Sequence, residues 1–293
     1  MINLPKIKVI KNNLEEEIGV FRKFLFHNSA FSKRRDIFQA FPELEPKILN
    51  ADKNDIENIL RHFIINFYKK YEQEFNKIVS ESEQIINERG GLALKELAKL
   101  MDYEWSKEIT YNAIPTILPF SPFNGNDFNF SILSALRGKM NNKKSLFITM
   151  HEISHFVFFD ILKNIKEEND LQLSKDLEHY FKEALTAVLL NQQPLCKILE
   201  LSNYFGNIEI QDIKIKNKEN IVLSFTDFIF EEYNKIKITE KKSFKMFLLE
   251  TIKTLIPSSS EFSKKWAIWQ KHGRQIYKDN DILSEYQSPI EIK

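Results

Sequence analysis

The segment HEISH, at positions 151–155, holds the residues of this chain best suited to chemistry. His151 and His155 are four residues apart, so on a helix they share a face and can present two imidazole nitrogens to one metal ion. Two neutral imidazoles suit Zn²⁺, and zinc lowers the pKa of a bound water enough to give a nucleophile near neutral pH. Glu152 lies beside them and can take the proton of that water as general base. The H-E-x-x-H spacing therefore predicts one zinc ion per chain.

The residues around the motif predict a buried helix. Residues 145–162 read SLFITMHEISHFVFFDIL and are apolar on nearly every side except at the motif and Asp160. Burying two histidines and a glutamate without partners costs several kcal/mol, so these side chains need a metal ion or a network of protein hydrogen bonds. The same ionisable groups, at the middle of the segment, make it a poor candidate for crossing a membrane.

A catalytic zinc site needs a third protein ligand and an open position for water. The metzincin pattern HExxHxxGxxH would supply the ligand from the same segment. Phe158 stands where its glycine belongs and Ile161 where its last histidine belongs, so the ligand has to come from elsewhere.

The next amphipathic segment, residues 173–191, offers that third ligand. Glu183 lies there among apolar residues, where a carboxylate requires a partner. His179 precedes it by four residues and shares its face. Ligand type and helix face favour Glu183, and the alternatives are His179, Glu178 and Asp160.

HEISH, followed on a later helix by Glu183-Ala184, resembles the gluzincin arrangement of thermolysin-like and related zinc peptidases. The resemblance covers only about residues 145–191. It implies the two motif histidines and Glu183 as ligands, and Glu152 as base. Two features differ: 27 residues separate the second histidine from the glutamate, and Ala187 stands where thermolysin-like enzymes carry an aspartate that orients a ligand histidine. The outer partners of the ligands are therefore not implied.

Peptide hydrolysis also needs a group that stabilises the oxyanion, and a Tyr, His or Arg often contributes. The segment HGR at 272–274 is the most polar cluster late in the chain, so His272 ranks first. His179 is a further candidate, as a residue that contacts substrate or supports a ligand. The sequence does not select among the others, which are Tyr180, Tyr204, Tyr233, Arg274 and Tyr277.

Composition and charge bear on the partners and the location of the protein. The 293 residues are 43% hydrophobic and 28% charged, with a net charge of +1. This charge gives no case for a nucleic-acid or membrane-surface partner. The single Cys196 excludes an internal disulfide framework and fits a reducing compartment. The first 20 residues lack the apolar core of a signal peptide, so a cytoplasmic location is expected. The oligomeric state stays open.

Helical periodicity dominates both ends of the chain. Residues 52–80 predict one long amphipathic helix, Gly90-Gly91 is expected to break the next, and residues 1–104 form a helical N-terminal subdomain. Residues 105–293 form the catalytic domain, although the two parts could be one compact domain. Three helices are expected in its C-terminal part, at residues 219–236, 241–256 and 260–272.

Between these helical regions, period-two alternation predicts strands. Residues 109–113 and 127–133 alternate apolar and polar side chains just before the motif helix. Residues 127–133 are the preferred edge strand, which could bind an extended peptide through its main chain. Ile208, Ile210 and Ile213 indicate a further short strand.

These features together predict an α+β, predominantly α-helical protein with a zincin-like core and a small sheet before the HExxH helix. The expected function is a zinc metallopeptidase that acts on a peptide or protein. One alternative is a regulatory metalloprotease specific for one protein partner. The other is a non-catalytic helical protein that a metal stabilises.

Overall fold

A computed structural model describes residues 4–26, 33–52, 54–105, 109–138 and 144–292. Within these ranges helices dominate and two small sheets accompany them. The predicted α+β, predominantly helical fold is confirmed.

Runs of consecutive helices are separated by short strands along the chain. The helices are α1 (Leu14–Phe26), α2 (Arg34–Ala40), α3 (Leu44–Leu49), α4 (Ile56–Lys70), α5 (Glu72–Leu100), α6 (Leu133–Leu136), α7 (Lys144–Asn169), α8 (Lys175–Leu190), α9 (Leu195–Ile198), α10 (Ile208–Gln211), α11 (Phe225–Tyr233), α12 (Phe244–Leu255), α13 (Ser259–His272) and α14 (Asn280–Gln287). The strands are β1 (Lys6–Val9), β2 (Thr110–Thr116), β3 (Phe123–Asn124), β4 (Asp127–Ser131), β5 (Lys214–Lys216), β6 (Val222–Ser224) and β7 (Ile290–Glu291).

By their internal contacts, the described residues form two compact units. The first unit comprises the described residues within 1–91 and 106–152, and the second comprises those within 92–105 and 153–293. The predicted division of the chain at residue 104 into a helical subdomain and a catalytic domain stays a prediction.

The first unit contains a four-stranded sheet in the order β1-β2-β4-β3, which confirms the sheet predicted before the motif helix. The strands β1, β2 and β4 are parallel, and β3 is antiparallel to β4. The choice of residues 127–133 as an edge strand is wrong, because β4 lies between β2 and β3. Beyond the short β3, the Asn129 amide donates to the Pro122 carbonyl at 2.7 Å and the Ser131 amide to the Ser121 hydroxyl at 3.2 Å. The main chain of β4 is thus already paired on both sides.

Two helix boundaries in the first 100 residues differ from the sequence prediction. The helix expected over residues 52–80 is two helices, since α4 ends before Tyr71 and α5 begins at Glu72. Helix α5 also continues through Gly90-Gly91 instead of ending there. A β-carbon at Gly90 would lie 3.3 Å from the Ile7 side chain of β1, so this glycine lets helix and strand pack closely. Packing here outweighs the low helix propensity of glycine.

A buried carboxyl group joins α1 to the end of β2 in the first unit. Glu17 is fully buried and accepts hydrogen bonds from the Thr116 hydroxyl at 2.8 Å and from the Ile117 amide at 3.1 Å. Burial raises the pKa of Glu17 to about 7, although these hydrogen bonds act in the opposite direction. The folded protein therefore keeps a proton on Glu17 at a pH where the unfolded chain releases it.

The second unit is built around α8, which is buried along almost its whole length and packs against α11 and α13. The Ser174 hydroxyl caps α8 by accepting a hydrogen bond from the Leu177 amide at 3.3 Å, and acidic residues in its first turn suit the helix dipole. The three predicted C-terminal helices are present as α11, α12 and α13, and α11 begins later than expected because residues 222–224 form β6.

The strand expected at Ile208, Ile210 and Ile213 is wrong. Residues 208–211 form the short helix α10, and the strand β5 begins only at Lys214. Isoleucines two and three residues apart fit a helical turn as well as a strand, so the spacing alone did not distinguish them. Strand β5 pairs antiparallel with β6 and parallel with β7 to form the second sheet.

The raised pKa of Glu17 makes the stability of the protein depend on pH in a definite direction. Between its ordinary value of 4.5 and about 7, raising the pH favours the unfolded chain, which releases the proton first. Relative to Glu17→Gln, the free energy of unfolding of the wild type should fall by about 3 kcal/mol over this window, at about 1.4 kcal/mol per pKa unit. Urea titrations of both proteins from about pH 4 to about pH 8 measure this difference.

The neighbouring Glu16 is exposed and provides the matched control. Glu16→Gln should follow the wild-type dependence on pH. A constant stability difference between the wild type and Glu17→Gln across the window would show that the Glu17 proton is not linked to folding.

Candidate metal centre

Three potential metal ligands come together from α7 and α8. His151 and His155 lie one turn apart on α7, and Glu183 lies near the middle of α8. All three side chains are buried, and their ligand atoms lie within 4.8 Å of one another. The structure thus brings together the three residues that the sequence predicted, in a cluster able to bind a metal ion.

The imidazole of His155 is held in one orientation by a hydroxyl group of α8. The Nδ1 atom of His155 lies 3.2 Å from the Thr186 hydroxyl, which in turn lies 2.8 Å from the Ser154 hydroxyl. When Nδ1 carries the proton and donates it to Thr186, the lone pair of Nε2 is left to face the cluster. That Nε2 atom lies 3.4 Å from Oε1 of Glu183. Thr186 therefore lies where an outer partner of a metal ligand would lie.

The carboxylate of Glu183 is held by a residue of the loop before α10. Its Oε2 atom accepts a hydrogen bond of 2.7 Å from the Asn207 side-chain amide. Asn207 follows Gly206, which has a φ of +83° and whose β-carbon, if present, would collide with the Ile210 side chain. Glycine at 206 thus allows the loop to turn and to place Asn207 against the carboxylate.

A lysine also enters the cluster. Lys182 is buried with 9% of its surface exposed, and its Nζ atom contacts Oε1 of Glu183 and lies 3.3 Å from Nε2 of His155. Its positive charge compensates the buried carboxylate. These contacts use the two atoms of His155 and Glu183 that point into the cluster.

The predicted base, Glu152, follows His151 on α7 and is 5% exposed. Its carboxyl group is therefore buried on the helix that carries the two imidazoles. Its role as general base stays a prediction.

His179, the alternative ligand, is not part of the cluster. Its Nε2 atom lies 3.6 Å from Oε1 of Glu209, and its ring packs against Trp266 with 4.4 Å between the ring centroids. These partners belong to α10 and α13, so His179 contributes to the packing of α8 against those helices.

The residues predicted to stabilise an oxyanion lie on different elements of the structure. His272 is the last residue of α13 and is half-buried, and its catalytic role stays a prediction. Several tyrosine hydroxyls have structural partners. Tyr180 lies 3.3 Å from the Tyr286 hydroxyl, Tyr233 donates to the Leu100 carbonyl at 3.3 Å, and Tyr277 donates to Asp212 at 2.6 Å.

The sequence alone did not indicate three residues of the cluster's surroundings: Lys182, Thr186 and Asn207. Lys182 could have been noticed as a second charged residue within an apolar helix, directly beside Glu183. Thr186 lies three residues after Glu183 and therefore on a neighbouring part of the same helix. Asn207 had no local signal, because its partner lies 24 residues away.

By length and composition, α7 is the one helix in the described part of the chain that could cross a membrane. However, 67% of its most apolar window is buried inside the structure, as is usual for the core helix of a globular protein. The expectation that the protein has no membrane partner stays a prediction.

No family model, no curated protein and no solved structure matches this chain. The functional conclusion therefore rests on the chemistry of the site.

The cluster predicts which residue of α8 is the third ligand. Glu183→Ala should lower zinc affinity by more than the ~10–100-fold that the loss of an outer partner costs, because a ligand atom is removed. His179→Ala should leave zinc affinity unchanged, since its ring contacts Trp266 and Glu209 instead. Zinc per chain, measured by elemental analysis after equilibration with a zinc buffer, gives the comparison. Loss of zinc in His179→Ala and retention in Glu183→Ala would assign the ligand to His179.

The hydroxyl group of Thr186 provides a second prediction. Thr186→Val keeps the shape of the side chain but removes the partner of His155 Nδ1, so zinc affinity should fall ~10–100-fold. Thr186→Ser keeps a hydroxyl and should restore most of the affinity. Titration against a chromophoric chelator measures both variants, and equal affinity of Thr186→Val and wild type would refute the supporting role.

Proposed function

We propose that the protein is a zinc-dependent peptidase with a zincin-like core and a gluzincin-type site. The observation that carries this proposal is the buried cluster of His151, His155 and Glu183, with Glu152 on the same helix as the two histidines. Two imidazoles and one carboxylate are the protein ligands of a well-known class of catalytic zinc sites.

The donor set and its spacing suit zinc. Zinc binds imidazole nitrogen and carboxylate oxygen at about 2.0–2.2 Å, so two ligand atoms of a tetrahedral site lie about 3.3 Å apart. The separation of 3.4 Å between His155 Nε2 and Glu183 Oε1 is close to this value. Each of the three residues offers one ligand atom, and these three atoms lie within 4.8 Å of one another.

When bound, zinc supplies a Lewis acid that activates a water and polarises a carbonyl group. The carboxylate of Glu152 accepts the proton of the attacking water and then donates it to the leaving amine nitrogen. When His155 Nδ1 donates its proton to the Thr186 hydroxyl, the lone pair of Nε2 is left for the metal, and the Asn207 side-chain amide donates to the Glu183 carboxylate. The apolar surroundings of α7 and α8 exclude bulk water, which strengthens these electrostatic interactions.

A second candidate function is a structural metal site that ties α7 to α8. The burial of all three ligands, of which His151 is the most exposed at 8%, is the observation that favours it. Structural sites are closed and need no base, whereas a catalytic site keeps an open position for water. Glu152 therefore distinguishes the two functions.

If Glu152 is the general base, Glu152→Gln should keep its zinc and lose turnover by ~10²–10⁴-fold, because proton transfer to a positioned carboxylate is removed. The measurement is cleavage of a proteome-derived peptide library by the zinc-loaded proteins, followed by mass spectrometry and by kinetics on the best substrate. Zinc content is determined on the same samples.

Asp160→Asn is the matched control, because Asp160 is an exposed carboxylate on α7 that accepts a hydrogen bond from Tyr103. This variant should keep both zinc and turnover. Undiminished cleavage by Glu152→Gln would refute the proposed mechanism. Stoichiometric zinc in the wild type, with no cleavage of any library peptide and a melting temperature that drops when zinc is removed, would favour the structural function.

A further inference from the structure

Lys182 and a metal ion require the same two atoms. The Lys182 ammonium contacts Oε1 of Glu183 and lies 3.3 Å from Nε2 of His155. The other ring nitrogen of His155, Nδ1, lies 3.2 Å from the Thr186 hydroxyl. In the tautomer in which Nδ1 donates to Thr186, Nε2 has the one lone pair that the ring can offer to a cation. That lone pair can accept a hydrogen bond from the ammonium or bind a metal ion, but it cannot do both at once.

We propose that Lys182 is an internal cation that occupies the candidate metal position and that zinc enters the site by displacing it. The inference rests on the zinc-binding part of the proposed function. It adds that the affinity of the site for metal is set by competition with a side chain of the protein itself.

The charges of the site explain why a competing cation is present. The Glu183 carboxylate is 4% exposed, and a buried carboxylate without a positive partner is strongly destabilising. Asn207 satisfies one carboxylate oxygen but supplies no charge. Lys182 contributes a positive charge at the other oxygen, where a bound metal ion would also place one.

The position of Lys182 also makes the displacement feasible. Lys182 directly precedes Glu183 on α8, so its backbone is fixed while its ammonium lies at the end of a flexible four-carbon chain. Rotation of that chain can remove the ammonium without a change in the helix. Thr186 and Asn207 continue to hold the two ligands when the ammonium leaves, because neither of them bonds to Lys182.

Replacing Lys182 should have two opposite effects: it should raise the affinity for metal and lower the stability of the metal-free protein. Without the ammonium, zinc no longer breaks a buried ion pair when it binds. Zinc affinity should therefore rise in Lys182→Met, by roughly tenfold or more. The melting temperature of the same variant in excess chelator should fall below that of the wild type, because Glu183 loses its positive partner. An ordinary structural lysine would produce only the second effect.

Lys265 of α13 offers a matched control in the same unit. It is also buried, with 5% of its surface exposed, but its ammonium contacts the Glu285 carbonyl and the Ser288 hydroxyl and not the cluster. Lys265→Met should lower the melting temperature and leave zinc affinity at the wild-type value. Lys182→Gln, which keeps a polar tip without the charge, serves as a second variant in case Lys182→Met does not fold.

The test titrates Zn²⁺ into chelator-treated wild type, Lys182→Met, Lys182→Gln and Lys265→Met, in competition with a chromophoric chelator. Tighter binding by the Lys182 variants alone, with lower melting temperatures in chelator, is the expected result. Equal or weaker binding by these variants, while the wild type binds zinc, overturns the competition but leaves the proposed function intact. The absence of zinc binding in all four proteins overturns both.

Discussion

The carboxylate of Glu183 lies in the most deeply buried helix of its unit, and the surrounding structure must compensate its charge and satisfy its oxygens. Helix α8 is buried along almost its whole length, so solvent cannot supply either. Asn207 donates to one oxygen, Lys182 contacts the other, and His155 lies close to the same atom. These three contacts come from a loop, from α8 itself and from α7. The buried carboxylate of Glu183 therefore connects α7, α8 and the loop before α10.

The same contacts prepare the ligands for a cation. Thr186 orients the imidazole of His155, and Asn207 orients the carboxylate of Glu183. Protein contacts therefore hold both side chains independently of a cation. When His155 donates from Nδ1 to Thr186, the Nε2 lone pair and a carboxylate oxygen face each other at 3.4 Å, which is favourable when a positive charge lies between them. The ammonium of Lys182 and a metal ion are both able to supply that charge. This links the stability of the fold to the proposed chemistry of the site.

Several parts of the fold followed from local patterns, and others did not. Apolar residues around the motif predicted α7, and the spacing of apolar residues predicted α8, whose first turn Ser174 caps. The sequence did not reveal that residues 121–124 pair with β4, because that pairing is set by a loop that carries little periodic pattern. It also did not reveal that α5 continues through Gly90-Gly91, where close packing against Ile7 decides the outcome. Local propensity failed where a tertiary contact had the larger energy.

By itself, the sequence determined which residues share a helix face, because helical spacing is a local property of the chain. It placed His151 with His155, and His179 with Glu183. Only the tertiary structure decided which of His179 and Glu183 joins the cluster. The packing of α8 directs Glu183 towards His155 and directs His179 towards Trp266 and Glu209. The contributions of Lys182 and Asn207 were likewise decided by folding, since contacts between distant segments depend on how helices pack and leave no periodic trace in the sequence.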